Sequence, residues 1–132
     1  MNVRSESGLA GKMIVVWLLV LAVLALGAID VASIAFTTYK LSDVGAKAAG
    51  EGALVFRQQR DVRDTCERVA EVVSKEEPSA RVPQGGCSVE RPTGLVTVRV
   101  REEASTLVVK RLPWTEDYAT VVVTEVAGPP SL

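Results

Sequence analysis

From Met13 to Ile29 the chain reads MIVVWLLVLAVLALGAI, an apolar run without a charge in it. Asp30 interrupts the run, and VASIAF then carries the apolar character on to Phe36. A helix buried on one side only would show polar positions every three or four residues, and this stretch has none. At about 1.5 Å of rise per residue, residues 13–36 cover roughly 36 Å, enough to cross a hydrocarbon core of about 30 Å. The pattern predicts one membrane-spanning helix over 13–36, preceded by a leader-like segment over 1–12. A carboxylate deep in such a span would need a partner, whereas one at its edge would not, and the pattern leaves the depth of Asp30 open.

Beyond Tyr39 the apolar positions Leu41, Val44, Ala48, Val55, Val62, Cys66, Val69 and Val73 recur at close to helical spacing. Opposite charges four residues apart line the polar side: Arg57 with Asp61, Arg60 with Asp64, Arg63 with Glu67, Asp64 with Arg68. Each such pair is worth only about 0.2–0.5 kcal/mol, the mark of a solvated face. Pro78 closes the segment. One long helix, or two nearly collinear ones, is therefore expected over 37–77. Gly45, Ala49, Gly50, Gly52 and Ala53 form a belt of small side chains along it. The belt reads either as a loosened hinge or as a surface that another helix backbone approaches closely.

After the turn cluster Pro83-Gln84-Gly85-Gly86 the period changes to two. CSVER (87–91), a Pro92-Thr93-Gly94 turn and LVTVRVR (95–101) predict an antiparallel hairpin, with Val96, Val98 and Val100 on one face. Glu102-Glu103-Ala104 breaks the alternation, STLVVKRL is a short helix or a third strand, and LPWTED is a loop. YATVVVTEV (118–126) predicts the last strand. The fold expected is α+β: a long N-terminal membrane helix continuing into an amphipathic helix that packs on a small antiparallel sheet of about three strands over 78–126, with a tail over 127–132.

Charge and composition narrow the function. Fifteen Lys and Arg against 16 Asp and Glu give a net charge of −1, which lacks the basic surplus of a nucleic-acid binder. His is absent, removing the commonest general base and metal ligand. The only two cysteines, Cys66 and Cys87, lie on the same side of the span. A zinc site would need four ligands, and the neighbours of Cys66 give no bias toward a reactive thiolate. A disulfide stapling helix to first strand is the expected state, in an oxidising compartment. Arg4 and Lys12 against Glu6 slightly favour the N-terminus in the cytoplasm and the head outside, the same orientation a disulfide requires.

Catalytic arrangements do not emerge. Glu76-Glu77 and Glu102-Glu103 are adjacent carboxylates whose side chains diverge, Asp61, Asp64 and Glu67 are neutralised by arginines, and no nucleophile motif occurs. No enzyme activity, cofactor, metal, nucleic acid or small-molecule ligand is expected. Trp114 and Tyr118 are either lids on the domain core or hooks for a partner. Two kinds of processing are open: signal-peptide cleavage at Ala25-Leu26-Gly27, or a cut beside Gly8 or Gly11 that leaves the apolar run on the mature chain.

The passage out of the span, GAIDVASIAFTTYKLSDVGAKAAGEGA, with the later valine-alternating strands and the closing YATVVVTEV, resembles the TadE-like pseudopilins of tight-adherence (Flp-type) pilus systems, especially the short actinobacterial ones. The resemblance runs from about Gly8 to Val126. It implies a minor pilin-like subunit held in the inner membrane, N-terminus in, with a small outer domain. Its implied partners are other pilin-like subunits or inner-membrane assembly proteins, met by helix packing, with incorporation into a surface filament. It also implies a prepilin-type cut after Gly8 or Gly11, with Glu at the fifth mature position. That position would be Met13 or Val16 here, so an amine–Glu contact between subunits is missing and an unprocessed assembly factor remains an alternative. The other function class is a single-pass anchored domain that binds a protein partner at the cell envelope.

Overall fold

The computed structural model describes residues 3–128, with side chains from Gly8 onward. The first two residues of the leader-like segment and the last four of the tail lie outside the described residues.

The apolar run is part of a single helix, α1 (Val3–Gln59), of 57 residues. At about 1.5 Å per residue it is roughly 85 Å long, far more than a membrane needs. The helix is long and apolar enough near the N-terminus to cross a membrane. The helix is unbroken through Gly45, Gly50 and Gly52.

The interruption comes later and is sharper than expected. Arg60 takes a left-handed backbone conformation, φ 56°, and its N–H donates to the Phe56 carbonyl at 2.8 Å, closing the last turn of α1. Asp61 then caps α2 (Val62–Glu76), its carboxylate accepting from the N–H groups of Arg63 and Asp64. The chain reverses here, because Lys47 meets Glu76 and Glu51 meets Arg68 across the two helices. This corrects the expectation of one helix or two collinear ones over 37–77: α1 and α2 form an antiparallel hairpin. Of the predicted same-face pairs, Arg63 with Glu67 is made at 3.2 Å. Asp61 is taken by its capping role, and Arg68 bonds Glu51 and Glu71.

Three strands follow in the order β1 (Cys87–Glu90), β2 (Leu95–Glu103), β3 (Thr120–Ala127), all antiparallel. Gly94, at φ 74°, supplies the left-handed residue of the β1–β2 turn, with its N–H on the Glu90 carbonyl. Val96, Val98 and Val100 are fully buried and face the helices, as the alternation predicts. The alternation does not stop at Glu102. β2 continues through Glu103, and Glu102 points inward, buried, where Lys40 reaches it at 3.4 Å.

One core fills the space between sheet and hairpin: Leu41, Val44, Ala48, Ala49 and Ala53 from α1, Val69, Val72 and Val73 from α2, and the β2 valines. The segment between β2 and β3 is neither long helix nor strand. It holds two short 3-10 turns, η1 (Val109–Arg111) and η2 (Glu116–Ala119). The architecture is the expected α+β fold, with α1 serving both as the apolar arm and as the central support of the head.

Candidate functional site

Two features of α1 stand apart from the packed head. The first is its bare N-terminal part. Every described position from Gly8 to Ile29 is exposed except the half-covered Gly27, and the large apolar side chains among them point all round the helix. From Leu9 to Ile29 the rise is about 31 Å, matching a hydrocarbon core of about 30 Å. Lys12 is the one charge within it, close enough to the end for its stem to carry the ammonium outward.

The second is the first described residue of α1 that is buried. Asp30 is fully buried, although its neighbours Ile29 and Val31 are exposed. Its Oδ1 accepts from the Leu107 N–H at 2.6 Å, and its Oδ2 accepts from the N–H groups of Val108 and Val109 at 2.8 and 2.9 Å. These donors open η1, and the first N–H groups of any helical turn lack partners within it. A carboxylate from another element caps them, with charge-assisted bonds to both of its oxygens. One turn further along α1, Ser33 Oγ donates to the Ser105 carbonyl at 2.6 Å. Thr115 ties the far side of the loop back, its hydroxyl donating to the Val109 carbonyl at 2.8 Å. Residues 105–115 are thus clamped onto α1 at the level of residues 30–33. The expected span over 13–36 overlaps this clamp: exposure all round the helix ends at Ile29, while Val31 and Phe36 beyond it stay exposed.

The sequence-derived site residues fall into distinct surroundings. Cys66 and Cys87 form the disulfide, with Cα atoms 5.8 Å apart, linking α2 to β1. In the small-residue belt, a Cβ on Gly52 would lie 2.7 Å from a Val69 methyl, and one on Gly45 would lie 3.0 Å from Glu125 Cγ. Ala49 and Ala53 are buried in the same core. The close approach that small residues permit is therefore made mostly within the chain, to α2 and the sheet. Gly50 is the exception, with open space where its side chain would be. Gly8 and Gly11 are equally open. Trp114 and Tyr118 are 75% and 69% exposed, so they do not act as lids on the core.

A second polar cluster lies higher on α1. Lys40 bonds Glu77 at 3.1 Å and Glu102 at 3.4 Å, drawing together α1, the end of α2 and β2. Burial alone would lower the pKa of the Lys40 ammonium; the hydrogen bond and charge of Glu77 and the charge of Glu102 outweigh it and raise the value. The other Glu102 carboxylate oxygen is buried without a protein hydrogen bond, beside an open groove lined by Ser79, Arg81, Pro83, Arg101 and Glu103. Among the described residues, no group of three or more His, Cys, Asp or Glu is placed to hold a metal ion.

Sequence reasoning identified the apolar arm and the disulfide but gave Asp30 no partner. The one signal in the sequence was a single carboxylate set among apolar residues, which needs a partner if it is buried. Compared with protein-family models, with curated proteins and with solved structures, the chain gives no significant match.

Proposed function

We propose that this protein is a pilin-like structural or assembly subunit, of the kind found in tight-adherence pili or a related secretion machine, and that it is not an enzyme. The observation that carries the reading is the division of α1. Its first part is apolar and bare on all sides, and its second part is the central support of a small α+β head. A helix with no polar face is stable only in lipid or among other helices, which are the two environments a pilin occupies before and after assembly. The protein sits in the cytoplasmic membrane by a single pass, N-terminus in and head out, where oxidising conditions preserve Cys66–Cys87. Its partners are other pilin-like subunits or inner-membrane assembly proteins.

Gly50 gives the test. It lies on the part of α1 that supports the head, but a Cβ there would meet nothing within 4 Å, so a side chain at this position points away from the head's own packing. Gly50→Leu should weaken co-purification of the full chain with pilin-like subunits from native membranes, with the head at least as resistant to thermal unfolding as before, because the helix cost of the glycine is removed. Undiminished association sinks this role for the belt. Recovery of the full chain alone from membranes that contain those subunits sinks the reading itself. A second reading, an anchored domain that captures an envelope protein, draws on the exposed Trp114 and Tyr118. It predicts that Trp114→Ala abolishes that capture.

A further inference from the structure

We propose that the loop between β2 and β3 is an interfacial anchor: residues 105–118 rest in the headgroup layer of the same leaflet from which α1 emerges, with Leu107, Trp114 and Tyr118 in contact with lipid. The inference rests on the reading that the bare part of α1 crosses a bilayer.

The geometry begins with Asp30. It follows Ile29, the last residue of the bare apolar run, so along the helix axis it lies about 1.5 Å beyond the end of that run. Helical side chains lean toward the N-terminus of their helix, which here is the direction of the membrane. The three N–H groups that Asp30 binds are therefore held at the lipid boundary and not above it. Each headgroup layer is roughly 5–7 Å deep, the difference between a 30 Å core and a whole bilayer of about 40–45 Å shared between two faces. A loop hydrogen-bonded to Asp30 and Ser33 cannot avoid that layer.

The residues of the loop suit it. Leu107 is 50% exposed, Trp114 and Tyr118 in the same loop are exposed as well, and the head's own core is filled without any of the three. Trp and Tyr favour the boundary because one end of each ring is apolar and the other end bonds water or headgroups. Lys110 and Arg111 are matched in number by Glu116 and Asp117 within the same loop, and Lys110 pairs with Glu103 at 3.3 Å. With the charges balanced, attraction to anionic lipid is not the driving force; ring and leucine contact is. Anchoring should then occur on zwitterionic phosphatidylcholine.

The chain contains two tryptophans, Trp17 in the bare arm and Trp114 in the loop, which lets each position be read separately. Full-length Trp17→Phe and Trp114→Phe variants would be placed in phosphatidylcholine bilayers brominated either near the glycerol end or near the methyl end of the acyl chains. Trp17 should be quenched most strongly by the deep bromines, which reports the span itself. Trp114 should be quenched by the shallow bromines and only weakly by the deep ones, and should resist aqueous iodide. Adding Asp30→Asn to the Trp17→Phe variant should unclamp the loop and reduce the shallow quenching of Trp114. If Trp17 is quenched and Trp114 is not, with iodide reaching it freely, the span stands and the anchor is overturned. Trp114 shielded from bromine and iodide alike is buried against protein, which also overturns the anchor. If neither tryptophan responds to bromine, the span and the anchor fall together.

Discussion

At the residue scale, the glycines of the small-residue belt look alike in sequence and differ in space. A glycine inside a helix costs about 0.5–1 kcal/mol relative to Ala. At Gly50 nothing offsets that cost, because a methyl group would meet open space. At Gly52 the same methyl would press on Val69 at 2.7 Å, and also approach Thr65 and Val96 at 3.4 Å. Overpacking of this kind costs about 1–3 kcal/mol. Gly50→Ala should therefore raise the stability of the head by roughly 0.5–1 kcal/mol, while Gly52→Ala lowers it. Denaturant unfolding of the full chain in detergent, followed by circular dichroism, should give the two shifts with opposite signs. Shifts of the same sign would mean that the hairpin is not packed as closely as Gly52 requires. Asp30 makes the same point from the other side, a lone carboxylate whose role depends on three N–H groups more than seventy positions away in the chain.

At the scale of elements, the strands were legible and the helix reversal was not. Alternation over Leu95–Arg101 puts three valines on one face, and a sheet with a helical layer on one side must bury that face. The turn at Arg60 carries no glycine or proline to announce it. A non-glycine residue in the left-handed region costs free energy, which must be repaid by packing. Here the repayment is α2 folding back on α1, with Phe56 buried and Arg60 lying over its ring at 5.8 Å. Only contacts distant in sequence make the break worthwhile, and Asp61, expected to pair with Arg57, caps α2 instead. The disulfide holds this arrangement by joining α2 to β1 over a sequence separation of 21. On the chain-entropy account, a loop of that size contributes about 3 kcal/mol. The Cys66→Ser, Cys87→Ser double variant should lose about 2–4 kcal/mol in head stability while keeping its secondary structure. A loss below 1 kcal/mol would show that the core alone supports the hairpin.

At the scale of the whole molecule, α1 is one continuous helix with two kinds of surroundings. Its first part needs lipid or other helices, and its second part needs the head. The clamp at Asp30 and Ser33 fixes the head's rotation and height on the helix, so the head cannot swing freely above a membrane. The intact mass of membrane-extracted protein, with and without reduction, tests the arrangement as a whole. A chain starting at Leu9 or Lys12 is the outcome expected for a processed pilin-like subunit. A full-length chain instead favours a permanent membrane anchor. A start near Ala28 would remove the bare arm and sink both membrane readings. Reduction should add about two mass units as the disulfide opens.

The sequence by itself determined the apolar arm, the α+β class, the inward valines and the cysteine pair. Each follows from local periodicity or from a count, and periodicity records which face of an element meets water. Tertiary structure alone decided the reversal at Arg60, the division of the glycines into packed and open, the inward course of Glu102, and the partners of Asp30. Those outcomes depend on which distant groups share a place once the chain is folded. A polar residue in an apolar pattern signals that a partner is needed, but the partner is chosen by the packing of α1 against a loop far along the chain.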